Sequence, residues 1–474
     1  MPFDRSHTDI LWVCPGDESA GHGTYDDPFR SMSHALDCVR PGQTLVMKNG
    51  LYPGDLTIQV SGTIDHPITI VAEKHGGVRI PASCWYFYDV CDVVVRDLLF
   101  VDALQGAISA VGRCQRNRFS GLRFVDCGVG GGTSCTLFLG GAEGRCNLVE
   151  DCVFERSAPG PMPSAGSTDV VIGLMVSEGE AGSDSANKGY LFRRNHFVNY
   201  SYGIMVGAHD DSTGEYGHVV QHNTVDGCSC DGIVVKSGDS QVRGNAVRGC
   251  GRSGIAVVAG QGTVVEDNRV TACATGIMAA GSAHTVQNNC IERCTERAVW
   301  LLHPSLPGAD PSRNLIVENN TCVDCGGSEP SAREPLPRAV GVTIDCGVSC
   351  VVRRNLLCGP GAPVVALRDT ATSSAHFITD NRSADGCASA DGCIEGPSSF
   401  VDHSKGDFTT NSGYGAAGWF TVAGAEPPET PAEDAAYRAT AEVEGADLVD
   451  ELITDVDREE LARRALLLGG EGEE

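Results

Sequence analysis

The chain has 474 residues and a net charge of −27, with 41% apolar residues, 6% aromatics and 59 glycines. Abundant glycine with few aromatics suits many short strands and tight turns better than long helices, so the expected class is all-β. The negative balance speaks against nonspecific binding to nucleic acid or to an anionic membrane surface, because a polyanion repels both unless a local basic patch intervenes. No apolar run is long enough to span a bilayer.

The opening MPFDRSHTDILWVC lacks the basic start and apolar run of a secretion signal, so the chain as given is expected in the cytoplasm. It would be secreted only if a signal had been trimmed. Residues 26–54 follow, DDPFRSMSHALDCVRPGQTLVMKNGLYPG, and predict an amphipathic helix from about Pro28 to Val39 with Phe29, Met32, Ala35, Leu36 and Val39 on one side. Placed at about 26–40, this helix is expected to cap the first coil of a repeat structure, since open solenoid ends must be covered.

From about residue 170 onward a period near 22 dominates. GIVV, GIAV, GIMA and AVWL begin at 232, 254, 276 and 298, while GVTI at 341 and PVVA at 363 repeat the interval. GLMV at 173 and GIMV at 203 are wider-spaced copies. Each is preceded by a short strand ending in asparagine: Asn195, Asn223, Asn245, Asn268, Asn320 and Asn355. Asparagine suits this place because it tolerates a left-handed turn and its side chain can bond along a stack. Cysteine recurs at a third point, as Cys228, Cys250, Cys273 and Cys294, which fits stacked buried thiols better than disulfides or a zinc site. Three short strands per coil of about 22 residues define a single-stranded right-handed parallel β-helix. A leucine-rich repeat shares the period but needs a leucine framework that the sequence lacks.

Insertions interrupt the period at 157–170, 177–189, 207–217, 303–313 and 326–338, and insertions on a regular scaffold are where function tends to sit. Those at 177–189, 207–217 and 303–313 follow the Gly-Ile strand directly, so they are expected along one edge, walling a groove. In the Gly-Ile strands the alternate residues point outward. The outward positions are Met175, Met205, Val234, Ala256, Met278 and Trp300 in one column, and Ser177, Gly207, Lys236, Val258, Ala280 and Leu302 in the next. Lys236 is therefore alone on an apolar strip, one of five lysines against thirty arginines. Such a strip is expected to be covered by the tail, used for association with a second copy, or used as a sugar-stacking floor built on Trp300 and the methionines. The coils are expected to stop near 400, with 397–415 closing them. Residues 1–425 thus form the β-helix domain and 426–474, which carry −12 of the net charge, an acidic tail with one or two helices.

Residues 21–73, GHGTYDDPFRSMSHALDCVRPGQTLVMKNGLYPGDLTIQVSGTIDHPITIVAE, resemble the N-terminal signature of right-handed β-helix proteins related to polysaccharide lyases of the chondroitinase B and alginate lyase type. FVDHSKGDF at 400–408 resembles their closing segment. Within DGIVVKSGDSQVRGN at 231–245, Lys236 and Ser237 match the Lys-Ser pair that bears the family's catalytic lysine, and Asp231 matches one acidic calcium ligand. The family's Arg-His-Gly in the next coil is VVAG at 257–260 here, and the second acidic ligand is Ser229. SYGIMVGAHDD at 201–211 more weakly resembles the Asp-Pro-His segment of mannuronan epimerases, with Gly-Ala in place of Asp-Pro.

The resemblance implies cleavage of an anionic uronate-containing polysaccharide by β-elimination. That reaction needs the sugar carboxylate neutralised, a base for the C5 proton and proton delivery to the leaving oxygen. Lys236 is the expected base, Arg243 the nearby cation, and His209 the acid or second base. Asp231, Asp210, Asp211 and Glu215 are the expected calcium ligands. Trp300, Arg193 and Lys188 are the expected substrate contacts. Arg193, Arg243 and Arg353 also recur at one outward position, which fits an ordinary solvated face. A glycoside hydrolase would need paired carboxylates on the groove floor, which only pairs such as Asp226 with Asp231 supply. A uronan C5-epimerase and a non-catalytic binding or assembly protein are the alternatives, since fold does not fix function.

Overall fold

A computed structural model describes residues 9–128, 130–141, 143–163, 169–177, 187–207, 217–302, 312–326, 341–345, 347–358, 365–367, 376–379, 381–383, 393–395, 400–402 and 407–410. The chain forms two compact units: one takes in residues up to Glu155 with the segment 187–191, the other Arg156–Ser177 and the residues from Phe192 on. Both are right-handed parallel β-helix structure, in which each coil contributes one short strand to each of three parallel sheets.

In the first unit, one sheet stacks Ile10–Val13, Thr44–Met47, Ile68–Ala72, Val93–Arg96, Arg118–Ser120 and Leu148–Glu150 in register. Phe100, Phe124 and Phe154, one per coil, stack inward with centroids 5.4 and 4.6 Å apart. Offset stacking of this kind adds to the stabilisation from burial. The helix spans Met32–Cys38, four residues later than its expected start, and Ser31 caps it by accepting the His34 N–H at 3.1 Å. The delay has a cause: Phe29 lies in a parallel bridge with Val13, its backbone bonded to Trp12 and Cys14. Met32, Ala35 and Leu36 are buried, as the pattern required.

The second unit repeats strand, corner, strand, corner, strand, exemplified by Gln241–Arg243, Ala246–Arg248 and Ser253–Val257. Val242, Val247, Ile255 and Val257 point inward and are at most 1% exposed. The glycine of each Gly-Ile pair is needed for packing: a Cβ on Gly276 would lie 2.4 Å from Ile291 Cγ2, and one on Gly254 would lie 2.3 Å from Val270 Cγ1.

The corner between the first two strands holds an asparagine ladder. Asn195, Asn223, Asn245, Asn268, Asn289, Asn320, Asn355 and Asn381 are all at most 1% exposed. The backbone N–H of each donates to Oδ1 of the next, at 2.9–3.0 Å. Asn223 Nδ2 donates to Phe192 O, Asn245 Nδ2 to Val220 O and Asn268 Nδ2 to Val242 O. Half of the expected reason for asparagine is corrected here. The left-handed residue is the one before the ladder, Arg194, His222, Asp267, Asn288, Asn319 and Arg354, with φ of 53 to 55°. The ladder residue is selected by its side chain, which satisfies corner backbone groups that no strand can reach.

Cys228, Cys250, Cys273, Cys294 and Cys325 are buried free thiols. Neighbouring thiols and burial push Cys250 and Cys273 well above the ordinary thiol range. Near the end, Phe400–Asp402 pairs antiparallel with Asp407–Thr410. The acidic tail at 426–474 lies outside the described residues.

Candidate functional site

Lys236 follows the strand Ile233–Val235, and its N–H donates to Val206 O at 2.8 Å. Glycine at 207 makes this placement feasible: it has φ +105°, and a Cβ there would sit 3.0 Å from Lys236 Cβ and 2.8 Å from Ser237 N. The main chain after the lysine is pinned by buried hydroxyls. Ser237 is 2% exposed and its Oγ lies 2.8 Å from Ser240 Oγ, while Thr263 Oγ1 donates to Ser237 O at 3.2 Å. Lys236 itself is half-buried, with Val258 in the next coil and no second cation in its outward column among the described residues.

The outward positions of this face are not exposed as a strip. Met175, Met205, Val234, Ala256, Met278 and Ala280 are all at most 8% exposed. Trp300 stays half-buried, but its Nε1 donates to Asp345 Oδ2 at 2.6 Å and the Arg297 guanidinium covers its ring at 4.2 Å. Charge and desolvation favour that cation–π contact, since Arg297 is 1% exposed. Asp345 had no signal in the sequence, because its meeting with Trp300 depends on coil register.

Asp231 is 3% exposed; its Oδ1 accepts the Ser253 N–H at 2.7 Å and its Oδ2 lies 3.6 Å from Arg252. Desolvation raises its carboxyl pKa, and Arg252 draws it back down. It precedes Lys236 by five residues along a strand, about 16 Å of extended chain. Arg243 stands on another sheet, where its Nε donates to Gln221 Oε1 at 3.0 Å. In the same column Gln287 donates to Glu266 at 2.7 Å and Arg353 to Glu318 at 2.6 Å, so this outward face is a paired polar ladder. Arg193 ends Leu191–Arg193 and is 7% exposed. Lys188 belongs to the first unit, in a parallel bridge with Arg145. His209, Asp210, Asp211 and Glu215 lie outside the described residues, as do most of the inserts at 177–189, 207–217 and 303–313. Among the expected groups, then, Asp231, Arg243 and Trp300 are engaged by the scaffold, and the main chain at Lys236 is fixed by its neighbours.

These features define a right-handed parallel β-helix protein with, among the described residues, one lysine in the outward column that follows its Gly-Ile strands. Residues 181–377 match the family described as right handed beta helix region. The chain is 36% identical to the protein YwoF of Bacillus subtilis (strain 168) over 61 residues, 13% of either chain. Among solved structures it is similar to the PL6 family alginate lyase AlyGC, with a TM-score of 0.61 at 16% identity, over 84% of this chain and 58% of that one. A PL6 alginate lyase solved with a trisaccharide gives a TM-score of 0.58 at 17% identity, covering 88% of this chain and 95% of that chain. A mannuronic acid specific family 6 lyase from the human gut microbiota gives 0.55 at 17%, covering 76% and 87%. The shared property is the fold.

Proposed function

We propose that the protein is a carbohydrate-active β-helix enzyme, a polysaccharide lyase that cleaves a uronate-containing polymer by β-elimination with Lys236 as base. The observation that carries this is the placement of Lys236, the one cation of its outward column among the described residues, on a main chain fixed by Gly207 and the Ser237–Ser240 pair. The likeness in fold to proteins named as alginate lyases supports the choice of substrate class.

In this reaction the neutral Lys236 amine takes the C5 proton, the electron pair forms the C4–C5 double bond, and the glycosidic oxygen leaves C4 with a proton from an acid. His209 is the acid this proposal assigns. Calcium would neutralise the sugar carboxylate, but Asp231 does not fit that role because Ser253 and Arg252 already hold its oxygens.

A second reading, a non-catalytic glycan-binding β-helix, is favoured by Val258 standing one coil beyond the lysine and by Arg243 being tied to Gln221. Incubation with alginate, pectate and chondroitin separates the two. Elimination yields an unsaturated, ultraviolet-absorbing product, and epimerisation alters only the proton spectrum of the polymer. Silence in both measurements on all three polymers leaves the binding protein.

A further inference from the structure

The first unit carries a surface that the Lys236 proposal does not use. On its Gly-Ile-equivalent sheet, the strand Trp85–Tyr88 directs Trp85 and Phe87 inward and leaves Tyr86 and Tyr88 outward. Their rings are nearly parallel, 12° apart in orientation with centroids separated by 6.3 Å, and Tyr88 is 42% exposed. In register along the coils, Tyr86 is followed by Ser109 and then Phe138, so a small residue separates two half-buried rings. Parallel, solvent-facing rings with hydroxyl tips offer flat apolar area and hydrogen bonding together.

The chain turns the corner directly after Tyr88 and enters a cationic patch. Asp89 accepts the Arg113 N–H at 2.8 Å, and Arg113 pairs with Glu143 at 2.9 Å. Gln115, Arg116, Glu143, Arg145 and Cys146 line a cavity of 210 Å³ there. Arg145 pairs in register with Lys188 on one side and Gln115 on the other. Among the described residues Arg113, Arg116, Arg145 and Lys188 gather at this corner with Asp89, Asp92 and Glu143, Arg113 paired with Glu143 and Arg116 with Asp92. Aromatic rings alone would accept any sugar, and cations alone any anion. Their juxtaposition selects a ligand that has both properties.

We propose that this face of the first unit binds an acidic sugar chain, with Tyr86 and Tyr88 against the sugar rings and Arg145 and Lys188 toward its carboxylates or sulfates. The inference rests on the carbohydrate reading of the protein but not on elimination at Lys236. It gives the chain a hold on polymer that is separate from any chemistry.

The test is affinity electrophoresis of the full chain through gels containing alginate, pectate, chondroitin sulfate or a neutral glucan. The wild type is expected to be retarded by acidic polymers and not by the glucan; pectate against chondroitin sulfate tells carboxylate from sulfate recognition. Tyr86→Ala/Tyr88→Ala is expected to weaken retardation about tenfold. Arg145→Gln/Lys188→Gln is expected to weaken it similarly and to flatten its dependence on salt. Tyr88→Ser alone, at an exposed position, guards against loss of fold and should weaken retardation in the same direction. Retardation that survives the tyrosine and cation variants, or that is equal for the neutral glucan, overturns the proposal. So does absence of retardation by every acidic polymer. Retardation without any unsaturated product would instead overturn the lyase reading alone.

Discussion

Asn268→Ala isolates the contribution of the asparagine ladder. Asn268 Oδ1 accepts the Asn245 N–H at 2.9 Å, and its Nδ2 donates to Val242 O at 2.8 Å and to Asn289 Oδ1 at 3.0 Å. Asn268 is fully buried. Truncation leaves the Asn245 amide without its acceptor where water cannot replace it, and removes one of the donors to the Val242 carbonyl, which stays in the ladder with the Val264–Glu266 strand. An orphaned buried amide costs about 1–3 kcal/mol, so the expected loss is about 1–3 kcal/mol. In a coil array each coil depends chiefly on its neighbours, so the loss should be local and global unfolding need not be two-state. Amide exchange is the matching assay: the Asn245 N–H should lose protection strongly, while amides in the first unit keep theirs. Asn288→Gly is the control, since Asn288 is left-handed at φ 55° and half-buried, and glycine accepts that conformation. Protection at Asn245 equal to wild type in Asn268→Ala would refute the ladder argument.

The buried histidines give the second unit an acid limit. Burial holds His218 down to about 3 and His284 down to about 4, and lowers His376 as well. The unfolded chain takes up protons first, so stability is full above about pH 6.5 and falls as pH drops toward the folded values, on the order of 3 kcal/mol for His284. Urea midpoints between pH 7 and 4 check this, and His284→Asn should flatten the slope; a midpoint independent of pH contradicts it. Cys250 and Cys273, buried with raised pKa, should react with a thiol reagent only on unfolding. Fast labelling of the native chain at these positions would show an open column. Asp231→Ala should cost about 1–3 kcal/mol by stranding the Ser253 N–H, with the melting temperature equally indifferent to chelator in both proteins. A chelator-sensitive wild type and an insensitive variant would restore Asp231 as a metal ligand.

The architecture was legible because its determinants are local and periodic. Inward Ile and Val, the glycine before each Ile and the ladder asparagines repeat with each coil, and each repeat independently reports the same geometry. Asn289 escaped notice because Asn288 stands beside it and AVWL lacks the glycine of its siblings. The site was less legible because engagement of a side chain depends on its neighbours across coils. Nothing in the string marks Asp231 as a partner of Ser253, or Trp300 as lying under Arg297 and bonded to Asp345, 45 residues away. For the apolar outward columns the sequence left coverage as one of several expectations, because a period of two reports which way a residue points and not what lies beyond it.

The central claim is that the Lys236 amine removes the C5 proton of a uronate. Its most direct measurement is the rate of unsaturated-product formation by wild type, Lys236→Ala and Lys236→Arg on the polymer processed, at matched melting temperature. Loss of a positioned base predicts a drop of at least about 10²-fold in Lys236→Ala. Lys236→Arg should be no better, since a guanidinium stays protonated. Product formation by Lys236→Ala at the wild-type rate contradicts the account.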